Sequence, residues 1–207
     1  MLAAADVRFV VDAIQGLGVF PIDVAAAHID ALAAGTHKWL MGLAGLGVLY
    51  VRRALLAELQ PVRAALGSMR HRDDHHYPAD VYPFDLRDET RRVEEGAVNE
   101  VAIAVLAESL AVIDRVGIDA IGAQVRAVTD RLCDGFVAAG GRVRSPRDGG
   151  AWSGIVALEP PSAVDVDDLW GRLLADHVAI GVRDGAVWAG AHFYTNEADA
   201  DRVLSFL

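Results

Sequence analysis

The sequence predicts an α/β fold, and three observations carry the prediction. Short, nearly continuous apolar runs at residues 7–11, 29–34 and 46–51 have the length of strands buried on both faces. Two longer segments, 99–116 and 117–139, repeat apolar residues at helical spacing. From Arg142 onward, short strand-like runs alternate with helical ones.

The first run ends in Asp12, so a strand delivers a carboxylate at its C-terminal end, the edge at which open α/β sheets bind their ligands. The second run leads directly into Gly35-Thr36-His37-Lys38-Trp39. Lys38 is the only lysine in the chain, beside eighteen arginines. Arginine replaces lysine as a surface charge, but its guanidinium stays protonated, whereas a buried lysine can lose its proton and act as a nucleophile. Lys38 is therefore a catalytic candidate; accidental survival in an Ala- and Arg-rich chain is the competing reading. Two strand ends thus present an acid and a lysine at one edge. Pyridoxal phosphate needs that pair: an amine for its aldehyde and a carboxylate that keeps its pyridine nitrogen protonated.

After the lysine, Gly42-Leu43-Ala44-Gly45-Leu46-Gly47 precedes a strand, the wrong order for a dinucleotide fingerprint. Its glycines let the backbone turn closely. Residues 54–59 read as a short helix closed by Pro61, and 67–88, which lack a clear period, as a long loop. His71, His75 and His76 stand there among Asp73 and Asp74. The nearby Pro78 and Pro83, and the lack of a second ligand cluster, favour a solvated loop over a metal site.

The helix over 99–116 carries Val101, Val105, Leu106, Leu110 and Ile113 on one stripe. The next carries Val125, Val128, Leu132 and Phe136 and stops at Gly140-Gly141. Strands follow at 142–144 and 154–158, a helix at 164–175, strands at 179–182 and 187–191, and a last helix at 197–207. Asn196 and Asp199 supply that helix with an N-cap and a first-turn acid.

Five stretches occur in order along the chain. They are Val11-Asp12-Ala13-Ile14-Gln15-Gly16, Ala34-Gly35-Thr36-His37-Lys38-Trp39-Leu40, Gly45-Leu46-Gly47-Val48-Leu49-Tyr50-Val51, Glu95-Gly96-Ala97-Val98-Asn99 and Ala191-His192-Phe193-Tyr194-Thr195-Asn196-Glu197. Together they resemble the class V aminotransferase group of fold-type I pyridoxal phosphate enzymes, nearest its isopenicillin N epimerase-like and cysteine desulfurase-like branch. The resemblance runs nearly end to end. It implies that residues 1–116 are the C-terminal part of the cofactor-binding large domain, built on a mostly parallel sheet, and that 117–207 form a small α+β C-terminal domain.

The resemblance also implies roles. Lys38 would be the Schiff-base lysine and proton shuttle, Asp12 the pyridinium partner, and Gln15 a donor to the cofactor's phenolic oxygen. His37 would lie near the phosphate, with Thr36 as a hydroxyl donor. Gln15 as a helix cap and His37 as a satisfied, semi-buried histidine are the competing readings. The implied chemistry is amino transfer, epimerisation or C–S/β-elimination on an amino acid, in a homo-oligomer.

The chain departs from the family pattern in three places. Where the family carries an arginine that clamps the substrate carboxylate, this chain has Trp188-Ala189-Gly190. Arg183 is a candidate substitute, against its reading as a solvated strand-end arginine. The threonine that reaches a neighbouring subunit's cofactor phosphate is Ala97 here. Family members place about half of their chain, including the helix N-terminus that binds the phosphate, before the Asp-x-x-Gln strand. Here Asp12 follows only eleven residues, so the chain alone is expected to hold the cofactor weakly. A complementary polypeptide carrying the N-terminal half, a fragment, and a non-catalytic interaction module that keeps half of the fold all remain open.

Composition sets outer bounds. The 207 residues are 53% hydrophobic, enough for one sizeable core or two small ones. A net charge of −10 argues against nucleic-acid surfaces. The sequence has neither a membrane-span run nor a signal-peptide pattern, and its single cysteine excludes an internal disulfide, so a cytoplasmic location is expected. That cysteine, Cys133, lies on a helical period and reads as a core thiol, which disfavours persulfide-type desulfuration.

Overall fold

A computed structural model describes residues 7–70 and 85–207. They divide into two compact units: residues up to Leu17 with Ile22–Val112, and Gly18–Pro21 with Ile113–Leu207. The histidines and acids considered for a metal site at 71–76 lie outside the described residues.

The first unit is built on three strands, β1 (Val10–Asp12), β2 (Ala31–Gly35) and β3 (Gly47–Val51), in the order β1-β2-β3. β1 and β2 run parallel, with Asp12 opposite Ala33. β2 and β3 run antiparallel, with Gly35 opposite Gly47. The described part of the sheet is therefore mixed, with one parallel and one antiparallel pair. The reason lies in the connections: β2 reaches β3 through a single loop, too short for the crossover that a parallel neighbour requires.

At the sheet edge away from the lysine loop, Asp30 ties the starts of β1 and β2 to the end of β3. It is 7% exposed. Its Oδ2 accepts the Phe9 N–H at 2.8 Å and its Oδ1 accepts Arg52 Nε at 2.7 Å. The Phe9 amide, with Arg52 second among the stabilising partners, holds the Asp30 carboxyl below its ordinary value against the opposing cost of burial.

Helix α1 (Arg53–Glu58) follows β3, and 3-10 turns form at Leu66–Ser68 and Thr90–Val93. A bridge between Met69 and Leu86 ties together the ends of the stretch read as a plain loop. Helix α2 (Glu100–Val116) starts under a cap from Asn99, whose Oδ1 accepts the Ala102 N–H at 3.0 Å. Its apolar stripe is only partly covered by described residues: Ala102 and Leu106 are buried, but Val101 is 69% exposed.

The second unit comprises α3 (Ile118–Ala138), β4 (Arg142–Val143), β5 (Ile155–Glu159), α4 (Val166–Ala175), β6 (Gly181–Arg183), β7 (Ala186–Gly190) and α5 (Glu197–Leu204). Its sheet is wholly antiparallel, in the order β4-β5-β7-β6. Phe136 of α3, Leu158 of β5, Leu169 and Leu173 of α4 and Val187 of β7 meet in one core. The four residues Gly18–Pro21 belong to this unit, where Val19 is fully buried and the Phe20 ring meets Trp152 edge-on at 4.8 Å.

Element ends differ from the sequence reading for local reasons. Asp184 and Gly185 both have positive φ, 50° and 72°. A two-residue turn of that kind suits a tight hairpin, so the strands reach Arg183 and Ala186 rather than 182 and 187. Asp165 accepts the N–H groups of Asp167 and Asp168 and sets the start of α4. Asn196 and Asp199 cap α5 reciprocally, and α5 ends at Leu204 rather than 207. Among the described residues no helix is long and apolar enough to cross a membrane.

Candidate active site

The parallel register of β1 and β2 decides what shares an edge. Asp12 is the last residue of β1, and three residues beyond the end of β2 the chain reaches Lys38. Both strands therefore discharge their C-terminal residues toward the same side of the sheet, where α/β sheets place ligand sites. Asp12 is exposed, and its Oδ1 accepts the Ile14 N–H at 3.0 Å. Gln15 is exposed in the turn that follows, closed by Gly16 and Leu17 amides donating to the Ala13 carbonyl.

The loop between β2 and β3 is held from within. Thr36 is fully buried, and its hydroxyl is directed at the carbonyls of Leu43 (3.0 Å) and Leu46 (3.1 Å). Trp39 and Leu40 are also buried. These anchors leave His37 exposed and Lys38 half-buried between them. The His37 ring lies over Gly35: a Cβ there would stand 3.0 Å from His37 Cε1 and 3.1 Å from Ile14 Cδ1. Glycine at 35 thus gives the imidazole its place beside the turn that follows β1.

Asp12, Gln15, His37 and Lys38 are accordingly brought to one sheet edge within the first unit. Thr36 shares their loop, but its single hydroxyl proton is engaged inside it. Arg183 lies in the second unit on β6, exposed, with its guanidinium 5.0 Å from the Trp188 ring centre. In the same unit His192 stacks on Tyr194 at 4.2 Å, and Gln124 Nε2 donates to the Thr195 carbonyl at 2.8 Å.

A recess of the first unit, about 470 Å³ and lined by Arg8, His28, Asp30, Tyr50 and Arg52, opens at the opposite edge. The Asp30–Arg52 ion pair explains its polar lining. Sequence reasoning did not anticipate Asp30, nor the contacts that Met41, Gly42 and Ser109 make around the lysine loop. The Ser109 contact spans 68 positions and leaves no local signal.

The family model described as aminotransferase class-V matches residues 1–203. The uncharacterized aminotransferase YcbU of Bacillus subtilis (strain 168) is 29% identical over 194 residues, 94% of this chain and 49% of that protein. The isopenicillin N epimerase of Streptomyces clavuligerus is 28% identical over 211 residues, 99% of this chain and 53% of that one. An apo cysteine desulfurase from Thermococcus onnurineus NA1 superposes with a TM-score of 0.82 at 25% identity, over 98% of this chain and 52% of its own. A cystine C–S lyase in complex with cysteine persulfide shares the fold, with a TM-score of 0.83 at 22% identity. A variant of that lyase carries glycine covalently linked to its pyridoxal phosphate cofactor. The chain spans about half the length of these relatives. On the family match over nearly its whole length, the chain belongs to the class-V aminotransferase family.

Proposed function

We propose that the chain is the C-terminal half of an enzyme that uses pyridoxal 5'-phosphate to transform an amino acid by amino transfer, epimerisation or C–S/β-elimination. The observation that supports this most is the parallel register of β1 and β2, which brings Asp12 and the Lys38 loop to one edge. The donor set fits the cofactor chemically: an amine for an aldehyde, a carboxylate for a protonated ring nitrogen and a side-chain amide for a phenolic oxygen. When bound, the cofactor supplies an electron sink for the substrate's α-carbon.

The remaining work falls to the chain's own residues. Lys38 is the nucleophilic amine that would hold the aldehyde and, once released, the base that moves a proton at the substrate α-carbon. Asp12 keeps one oxygen on the Ile14 amide, which orients the carboxylate and would leave the other for the ring nitrogen. Gln15 and His37 are proposed as hydrogen-bond donors to the cofactor, and Thr36 as a brace of the loop. Arg183 is proposed as the cation for the substrate carboxylate, its planar group preorganised by Trp188.

The phosphate-binding part is expected from a complementary N-terminal half or from another copy in a homo-oligomer. Cys133 does not suit a persulfide role: it is 5% exposed, and burial pushes its thiol up from the ordinary value. A second reading, a non-catalytic module that keeps half of the fold, is favoured by Trp188 and Ala97, which stand where the family has an arginine and a threonine.

The test is a visible absorbance scan with pyridoxal phosphate on the protein purified in its native assembly. Lys38→Ala should abolish the cofactor band while leaving the circular dichroism intact. Asp12→Asn should keep the band and slow α-proton exchange in deuterated water by about a hundredfold or more. A band that survives in Lys38→Ala would sink the assignment of the lysine.

A further inference from the structure

Met41 is the strained residue of the lysine loop. Its φ of 53° lies in the left-handed region, which side chains other than glycine seldom adopt. Such a residue persists only where its surroundings hold it, and here its backbone is held at both ends. Its N–H donates to the Lys38 carbonyl at 3.0 Å, closing a turn directly on the lysine. Its carbonyl accepts the hydroxyl of Ser109 at 3.0 Å, from the middle of α2.

The next residue is fixed as firmly. The Gly42 N–H donates to the Thr36 carbonyl at 2.8 Å. A Cβ at position 42 would stand 2.6 Å from Thr36 Oγ1 and 2.7 Å from Thr36 Cβ, closer than packed atoms tolerate. The Thr36 hydroxyl in turn holds Leu43 and Leu46. Within the loop, Thr36 and Gly42 form a lock, and Ser109 adds a bond to it from outside.

We propose that Ser109 is a positioning residue for Lys38, an inference that rests on the functional reading above. By fixing the Met41 peptide, its hydroxyl keeps the Lys38–Met41 turn closed and so sets the backbone from which the amine is aimed. Helix α2 buries only Ala102 and Leu106 among its apolar side chains. Apolar packing therefore specifies its register on the loop weakly, and a directional hydrogen bond specifies it well. Ser109 touches neither reactant; it acts through the loop.

Two measurements on wild type, Ser109→Ala and Ser109→Thr test this. The first is amide hydrogen exchange at Met41 and Gly42, which needs no cofactor. Ser109→Ala should speed exchange there by about five- to tenfold, the worth of one partly buried hydrogen bond, with the α3 amides unchanged. The second is the pH profile of borohydride-trapped pyridoxal phosphate on Lys38, read by mass analysis. The alanine variant should lower the trapping rate by about threefold or more across the profile, and the threonine variant should restore both readouts.

Exchange and trapping within about twofold of wild type in Ser109→Ala would overturn the proposal. Should that variant unfold the first unit, Ser109→Thr decides: kept loop protection supports the role and lost protection overturns it. If wild type takes no adduct at all, the cofactor reading fails, whereas the exchange rates still decide whether Ser109 clamps the loop.

Discussion

The two units differ in how completely they enclose themselves. The second closes a core from five elements, in which Phe136, Leu158, Leu169, Leu173 and Val187 are fully buried. The first is a three-stranded layer whose outer strands, β1 and β3, have no further described strand beside them. Its helix α2 leaves Val101, Ile103 and Leu110 substantially exposed. The unit that carries Asp12 and Lys38 is thus the open one, and the unit without them stands on its own core. Exposed apolar faces and unpaired strand edges are surfaces that another polypeptide can cover. That supports a site completed by a complementary half.

Substitutions in the two units sharpen this contrast. Phe136→Ala, at the centre of the closed core, is expected to cost about 3–5 kcal/mol in urea unfolding. A cost under about 1 kcal/mol would mean that the second unit is not self-sufficient.

A smaller effect is expected from pH. Arg142 and then Arg144 hold the Glu159 carboxyl down to about 2 from an ordinary 4.5. A carboxylate depressed in the folded state stabilises it above the ordinary value and loses that contribution as pH falls. Stability of the second unit should therefore drop between pH 4.5 and about 2, and Glu159→Gln should flatten that part of the profile. An unchanged slope in the variant would remove Glu159 from the account.

Least of all should come from Val101→Ser on α2, within about 0.5 kcal/mol of wild type in the isolated chain. The same substitution should weaken association in the native assembly, measured by sedimentation. An equal loss of stability in the isolated chain would mean that Val101 is already covered there.

Much of this was legible in the residues, and the illegible parts share a cause. The period of α3 named Val125, Val128, Leu132 and Phe136, and all four are buried. Asn196 and Asp199 announced their cap because capping is a local exchange of hydrogen bonds. The strand end at Asp12 and the approach of the second run to the Lys38 loop were readable because apolar runs stop where polar residues must face the edge. The direction of β3 cannot be read from its own residues, whose apolar run is the same either way; it follows from the short loop before it. The stripe of α2 was visible, but its burial depends on what packs against it. The bond from Ser109 to Met41 spans 68 positions, a relation that only the folded loop creates.

The central claim is that Lys38 carries the cofactor, and because it is the only lysine one experiment addresses it without ambiguity. The protein isolated in its native assembly is reduced with borohydride, digested and analysed by mass for the peptide containing Lys38. The account predicts a reduced pyridoxyl adduct on that side chain. An unmodified Lys38 in a folded, fully assembled protein would contradict it and leave the chain as a module that keeps the fold without the chemistry.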